Sequence, residues 1–251
     1  MYKFFKRLFD ILIALIGLPF FLLIFIVLAP IIFLTDRGPV FYNAPRLGKK
    51  GKVFKMYKFR SMKVNAPDIR NADGSTFNGA NDPRVTKIGK IMRKTSLDET
   101  PQLLNVLFGH MSLVGPRAHL VTKYEGYDKL DENRKKRIEV RPGITGYSQA
   151  YYRNSIPAEE KLKNDLYYVE HMSLWFDIKI LFKTAASVLK HENIYVTPDA
   201  AKADAEAKAK AASAEAPADE KTEAVTETAA EAATEAKTEA AVGAESENNE
   251  Q

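Results

Sequence analysis

The chain has 251 residues, 37 lysines and arginines against 32 aspartates and glutamates, and no cysteine. The absence of cysteine excludes a disulfide framework and thiolate chemistry, and the four histidines, His110, His119, His171 and His191, lack metal-site spacing. The net charge of +5 averages two unlike parts: 14 acidic and 5 basic residues from position 199 onward leave +14 on residues 1–198.

Residues 11–35 form an uncharged apolar run, long enough at about 1.5 Å per residue to cross a hydrocarbon core of about 30 Å. It exceeds the apolar stretch of a secretory signal and lacks a small-residue cleavage site. Pro19 removes a backbone hydrogen bond in mid-run, and Pro30 repeats the defect. Lys3, Lys6 and Arg7 precede the run, while Arg37, Arg46, Lys49, Lys50 and Lys52 follow it, so both flanks favour the cytoplasmic side. The pattern predicts a re-entrant membrane helix over residues 1–35, bent at Pro19; a kinked but complete crossing is the alternative. Asp10, at the edge of the run, is expected to pair with Lys6 or Arg7 at helical spacing.

Residues 39–62, rich in aromatic and β-branched side chains with glycine breaks, predict short strands or a hairpin. Lysines alternate with aromatics here, but no nucleic-acid-binding motif accompanies them, and a phosphate ligand or anionic headgroup suits the adjacent membrane segment better. No nucleic-acid partner is expected. Residues 68–82, full of Asn, Asp and Gly, read as a loop. In VTKIGKIMRK, helical spacing puts Val85, Ile88, Ile91 and Met92 on one face and Lys87, Lys90, Arg93 and Lys94 on the other. A second amphipathic helix is predicted over 173–190, either interfacial with Trp175 at headgroup level or an ordinary core helix. Residues 199–251 have no aromatic side chain and almost no large aliphatic one, and read as a disordered acidic tail, a transient Ala/Glu helix being the alternative.

The motif TSLDETPQLL carries two adjacent carboxylates, Asp98 and Glu99. A capping box from Ser96 to Glu99 is the structural explanation, but it makes Pro101 the fifth helical residue, where a backbone donor is needed. A cap at Leu97 or Asp98 predicts instead a helix from about Glu99 to Phe108, ended by a left-handed Gly109. Asp98 and Glu99 then sit at the positive end of the helix, near Arg93, where a metal-bound phosphate is favoured and Asp98 stays ionised as a nucleophile. Two adjacent carboxylates repel, and Mg²⁺ relieves that cost.

Several motifs in one order, KRLFD, GPVFYNAPRLGKKGKVFKMYKFRSM, DPRVTKIGKIMRKTSLDETPQLLNVL, MSLVGPR, RPGITG and DIKI, make the chain resemble the small monotopic phosphoglycosyl transferases over about residues 3–196. These are the bacterial polyprenyl-phosphate sugar-1-phosphate transferases. The sequence departs from that family's usual pattern at Leu18 before the kink proline, at Thr100, at His110 and at Ala118 after Arg117.

The resemblance implies an α/β fold: a compact, mostly helical, membrane-associated domain with short strands, an N-terminal re-entrant helix (1–35), a catalytic domain (36–198) and interfacial amphipathic helices. It implies transfer of a sugar-1-phosphate from a UDP-sugar to polyprenyl (undecaprenyl) phosphate, with release of UMP, as the first membrane step of glycoconjugate or exopolysaccharide assembly. Asp98 would be the nucleophile, forming a covalent sugar-phosphate, with Glu99 assisting and both carboxylates holding Mg²⁺. Arg93, Arg117 and Arg141, then Lys58 and Arg60, would contact phosphate or nucleotide, as suits guanidinium groups. The expected location is the cytosolic face of the bacterial cytoplasmic membrane, with membrane lipids and other glycan-assembly enzymes as partners.

Overall fold

The computed structural model describes residues 1–69, 77, 79, 81–121 and 127–190. The acidic tail and most of the 68–82 loop therefore lie outside the described residues. What is described is a mixed α/β body, largely helical, with short strands.

Helix α1 runs unbroken from Tyr2 to Asp36 through both prolines, about 52 Å of helix at the usual rise. Among the described residues it is the one helix long and apolar enough to cross a membrane. Its buried positions, Asp10, Ala14, Phe21, Leu28 and Ile32, form one stripe, at intervals of three to four residues and their multiples, as one helix face requires. Leu12, Ile16, Phe20, Leu23, Ile26 and Leu34 stay exposed on the other sides, an apolar surface far larger than water tolerates on a monomer.

The expected hairpin is present. β1 (Ala44–Leu47) pairs antiparallel with β2 (Val53–Met56), Ala44 opposite Met56 and Leu47 opposite Val53. β4 (His119–Leu120) pairs with the other edge of β1. The hairpin turn contains a 3₁₀ piece at Lys49–Gly51, with Lys50 and Gly51 both at positive φ.

Two of the sequence motifs meet backbone to backbone. β3 (Ser112–Val114) lies parallel to β5 (Gly143–Thr145), and Gly115 N–H donates to Thr145 O at 2.9 Å while Gly143 N–H donates to Pro116 O at 3.0 Å. A Cβ on Gly143 would stand 2.1 Å from both Gly115 N and Thr145 O, so only glycine lets the strands approach this closely.

The remaining helices are α2 (Lys87–Thr95), α3 (Gln102–Leu107), α4 (Glu132–Arg137), α5 (Tyr147–Tyr151), α6 (Ala158–Glu170) and α7 (Leu174–Lys190). The main core joins Ala14 of α1 to the hairpin, α3, β3, Tyr168 and Ile180. A second cluster packs Phe21, Leu28 and Ile32 of α1 on Phe59 and Met92, with Phe25, Phe41 and Phe59 stacked at 5.4 to 6.3 Å. On α2, Met92 is fully buried, but Ile91 is 57% exposed. That corrects the expected apolar face at Ile91: Ile88 and Met92 pack against the second cluster, with Gly89 buried beside them, while Ile91 turns outward. α7 combines both readings of its sequence: it buries Asp177, Ile180 and Ser187 and exposes Trp175, Phe182 and Leu189.

Asp10 does not pair with Lys6 or Arg7. It accepts from Leu113 N–H at 3.0 Å, while Lys6 pairs with Asp177 at 2.8 Å and Arg7 donates to the carbonyls of Val106 and Leu107. Tertiary partners outcompeted the helical neighbours because Asp10 is buried, and a buried carboxylate must find a donor that the fold has fixed in place.

Candidate active site

The two carboxylates lie in a 3₁₀ turn, Leu97–Glu99, rather than in the first turn of an α-helix. Ser96, left-handed at φ 59°, ends α2 and makes no side-chain cap. Pro101 then decides the winding. An α-helix through this point needs the residue-101 N–H to reach Leu97 O, and proline has none. Thr100 takes that oxygen instead, through its N–H at 3.2 Å and its hydroxyl at 2.8 Å. The α-helix consequently starts at Gln102, three residues later than the sequence predicts. Gly109 closes the run at φ +79°, as expected.

Phe59 N–H donates to Asp98 O at 2.9 Å, pinning this turn to the segment after β2 that carries Lys58. Lys58 Nζ stands 2.8 Å from Asp98 Oδ2 and 3.4 Å from Glu99 Oε1, so one ammonium serves both acids. Arg117 Nη2 reaches Glu99 Oε1 at 2.7 Å. Asp98 is 2% exposed, and its Oδ2 is ion-paired with the Lys58 ammonium but makes no hydrogen bond. Burial pushes the Glu99 carboxyl up, but the charges of Arg117 and Lys58 and their hydrogen bonds outweigh it and hold the carboxyl down to about 2. The like-charge repulsion of adjacent acids is thus met by two cations, and Glu99 is ionised at any ordinary pH.

Of the other predicted residues, Arg93 donates through Nε to Ser61 Oγ at 3.0 Å, on the segment flanking the site. Arg60 is turned away from the dyad: it is 7% exposed and binds Asp36 at 2.6 Å and the carbonyls of Pro39 and Ile32. Its role is to tie down the end of α1. Arg141 donates to Gly109 O at 2.8 Å, at the far end of the helical run that begins with the dyad.

The sequence reading did not single out three features of the site. Arg46 on β1 has its Nε buried without a hydrogen-bond partner, and its guanidinium feels the charges of Arg117 and Glu99. Arg153 donates to Ser96 Oγ at 3.1 Å and is within electrostatic reach of both Glu99 and Asp98. A buried Arg137–Asp165 pair, 2.6 Å apart, holds the backbone beneath Arg117, because Arg137 Nη2 also donates to Arg117 O at 2.8 Å. For Arg46 the signal was its position as the arginine of a predicted strand; nothing local marks Arg153 or the Arg137–Asp165 pair.

A buried carboxylate with an oxygen outside any hydrogen bond, an ionised neighbour, and a ring of lysine and arginine is equipped to receive a polyanion and present a nucleophile to it. The family model described as "Bacterial sugar transferase" matches residues 1–191. The chain belongs to that family.

This bacterial sugar transferase is 41% identical over 196 residues to an exopolysaccharide production protein, PSS, of Rhizobium leguminosarum bv. phaseoli, the match covering 73% of the chain and 94% of the relative. It is 44% identical over 184 residues to a UDP-glucose:undecaprenyl-phosphate glucose-1-phosphate transferase of Escherichia coli K12, covering 71% of the chain and 39% of the relative. It is 40% identical over 191 residues to a UDP-N-acetylgalactosamine-undecaprenyl-phosphate N-acetylgalactosaminephosphotransferase of Aeromonas hydrophila, covering 75% and 44%. The chain's matches to the latter two span about two fifths of each relative's length.

Proposed function

We propose that this bacterial sugar transferase moves a sugar-1-phosphate from a UDP-sugar to a polyprenyl phosphate such as undecaprenyl phosphate, releasing UMP, through a covalent intermediate on Asp98. The observation that carries the proposal is the pairing of unlike neighbours: Asp98, buried with one oxygen outside any hydrogen bond, beside Glu99, which Lys58 and Arg117 hold ionised. The names of the relatives support the substrate classes. Because those names differ in the sugar, the proposal stops at the class of UDP-sugar.

In the first half-reaction an Asp98 carboxylate oxygen attacks the β-phosphorus. The bond from that phosphorus to the bridging oxygen breaks, and UMP leaves with the electron pair. In the second, a phosphate oxygen of the lipid attacks the same phosphorus, the bond to Asp98 breaks, and the carboxylate is restored. Arg117 and Lys58 neutralise charge on the transferring group, with Arg46, Arg153 and Arg93 as further cations on the nucleotide side.

Magnesium is the group this reading implies. Among the described residues no three His, Asp or Glu side chains converge, but the ion needs few protein ligands and takes the rest from water and phosphate. Asp98 Oδ2, ion-paired with Lys58 but outside any hydrogen bond, and the adjacent Glu99 fit that demand and would hold it. Bound there, it would supply neutralisation of the diphosphate.

A re-entrant α1 with the body on the cytosolic face is part of the same proposal. It is supported by contacts at both ends of the helix: Tyr2 and Lys6 bind Asp177 of α7, and Asp36 binds Arg60, so one polar body grips both termini of an apolar segment. The exposed Trp175 and Phe182 of α7 offer a second lipid contact.

The test uses the full chain in detergent with Mg²⁺ and a panel of UDP-sugars, without lipid acceptor. The expected result is a UMP burst approaching the enzyme concentration and a mass increase on the peptide containing Asp98, both absent in Asp98→Asn. Turnover that persists in Asp98→Asn, or transfer to lipid with no burst, overturns the covalent route.

A further inference from the structure

At the opposite end of the α3 run from the dyad lies a cavity of about 100 Å³ that the proposed reaction does not use. The backbone from Leu97 to Phe108 separates the two, roughly 17 Å at the helical rise. Five basic side chains line the cavity, Lys3, Lys6 and Arg7 from the start of α1, Lys49 from the hairpin turn, and Arg141, with the acids Asp10 and Glu139.

The charges there are unequally matched. Lys6 is committed to Asp177, Arg7 to the Val106 and Leu107 carbonyls, and the Arg141 Nε to the Gly109 carbonyl. Asp10 already accepts from Leu113, and Glu139 stands exposed. Among the described residues no carboxylate lies within ion-pair distance of Lys3, Lys49 or Arg141. Burial, then the charges of Arg141, Lys3 and Lys50, push the Lys49 ammonium below its ordinary pKa, as expected where cations converge without a counter-charge. A water molecule occupies about 30 Å³, so the cavity has room for a tetrahedral phosphate group. Phe4, Phe5, Leu8 and Leu12, 46 to 70% exposed, form an apolar surface on the other side of the same turns of α1.

We propose that this cavity is a second phosphate-binding site, separate from the dyad, that takes an anionic phosphate group through Lys3, Lys49 and Arg141. Two sources carry that chemistry: the headgroup of an anionic phospholipid, whose acyl chains would lie on the apolar side of α1, or free phosphate.

The test measures retention of phosphatidylglycerol and of phosphatidylcholine by the detergent-solubilised full chain, using native mass spectrometry, for wild type, Lys3→Ala/Lys49→Ala and Lys87→Ala/Lys90→Ala. The last variant removes two exposed lysines from the basic face of α2 and controls for general electrostatics. Wild type should prefer phosphatidylglycerol, the first double variant should lose it at least fivefold, and the control should stay within twofold. Displacement of the lipid by millimolar inorganic phosphate identifies free phosphate as the ligand; resistance identifies the headgroup.

A parallel measurement needs no variant. Acetylation of Lys3 and Lys49, read by peptide mass, should slow at least fivefold when phosphatidylglycerol or inorganic phosphate is added, while Lys90 is unaffected. Equal losses in both double variants, no loss in the first, or unprotected Lys49 with both ligands overturns the site.

Discussion

Replacing Asp177 by asparagine changes one atom in a buried polar knot that fastens the start of α1 to α7. Asp177 is 1% exposed and receives three donors: Tyr2 Oη at 2.9 Å and Lys6 Nζ at 2.8 Å on Oδ2, and Tyr168 Oη at 2.7 Å on Oδ1. Asparagine keeps the volume but offers one accepting oxygen, so at least one donor meets an N–H group. An unsatisfied buried donor costs about 1–3 kcal/mol, and Lys6, 14% exposed, loses its counter-charge as well, which raises the expected loss to about 3 kcal/mol. For a folded body near 190 residues that is roughly 6–12 °C in Tm.

The assay is thermal or urea unfolding in detergent of Asp177→Asn, Lys6→Met and the double variant. Lys6→Met leaves Asp177 its two tyrosine donors and should cost less. In the double variant the missing charge no longer strands its partner, so its loss should fall short of the sum of the singles by at least about 1 kcal/mol, well outside the error of additivity. A loss under about 1 kcal/mol for Asp177→Asn, or single effects that simply add, would refute the claim that this pair anchors α1.

The depressed Glu99 carboxyl predicts an acid-side effect. A folded pKa of about 2 lies below the unfolded value of 4.5, so its stabilisation is fully present above pH 4.5 and is lost as pH falls through 2; the difference corresponds to roughly 3 kcal/mol, reduced to about 2 because the Arg117 side chain is 53% exposed. Stability against pH should therefore fall more steeply in wild type than in Glu99→Gln over that window, and parallel curves would contradict the coupling. For topology, Phe5→Cys and Tyr42→Cys, both at exposed positions, should be labelled from the same side of sealed vesicles by an impermeant thiol reagent; labelling from opposite sides would replace the re-entrant helix by a crossing one.

The features legible in the sequence are those that local chemistry writes. The apolar run of α1, the helix of α7, the hairpin and the left-handed Gly109 each follow from periodicity or from a single residue's backbone preference. Pro101 in the sequence is incompatible with a capping box, yet its full consequence, a 3₁₀ turn before Gln102, depends on Thr100 capturing Leu97 O with two donors. The dyad itself was visible as two acids in a basic chain. Its surroundings were only partly so: Lys58 and Arg117 stand in motifs, whereas Arg46 and Arg153 come within electrostatic reach of Glu99 from 53 and 54 residues away. Arg60 and Arg141 look like Arg117 in the sequence, being basic residues inside motifs, and only the fold shows that Arg117 reaches Glu99 while Arg60 ties down α1 and Arg141 binds the Gly109 carbonyl. The parallel contact between the MSLVGPR and RPGITG motifs likewise needed the structure, because the glycines there answer to a strand about 30 residues distant.

The position of the dyad relative to α1 follows from one close contact. A Cβ at Gly17 would stand 2.9 Å from Leu103 Cδ1, so α3 rests close to the midpoint of α1, next to Pro19. Asp98 is barely more than one helical turn from Leu103. The ties at the two ends of α1 and this contact near its middle therefore fix Asp98 at one depth relative to the apolar helix. For a reaction whose proposed acceptor is a phosphate on a membrane-embedded chain, that depth decides whether attacking oxygen and phosphorus can meet. Nucleotide diffuses in from water and adapts to any depth, but the lipid phosphate is held near the plane of the headgroups. Binding α1 along its length, rather than at one end as a tether would, is the arrangement that makes the depth of Asp98 a property of the fold.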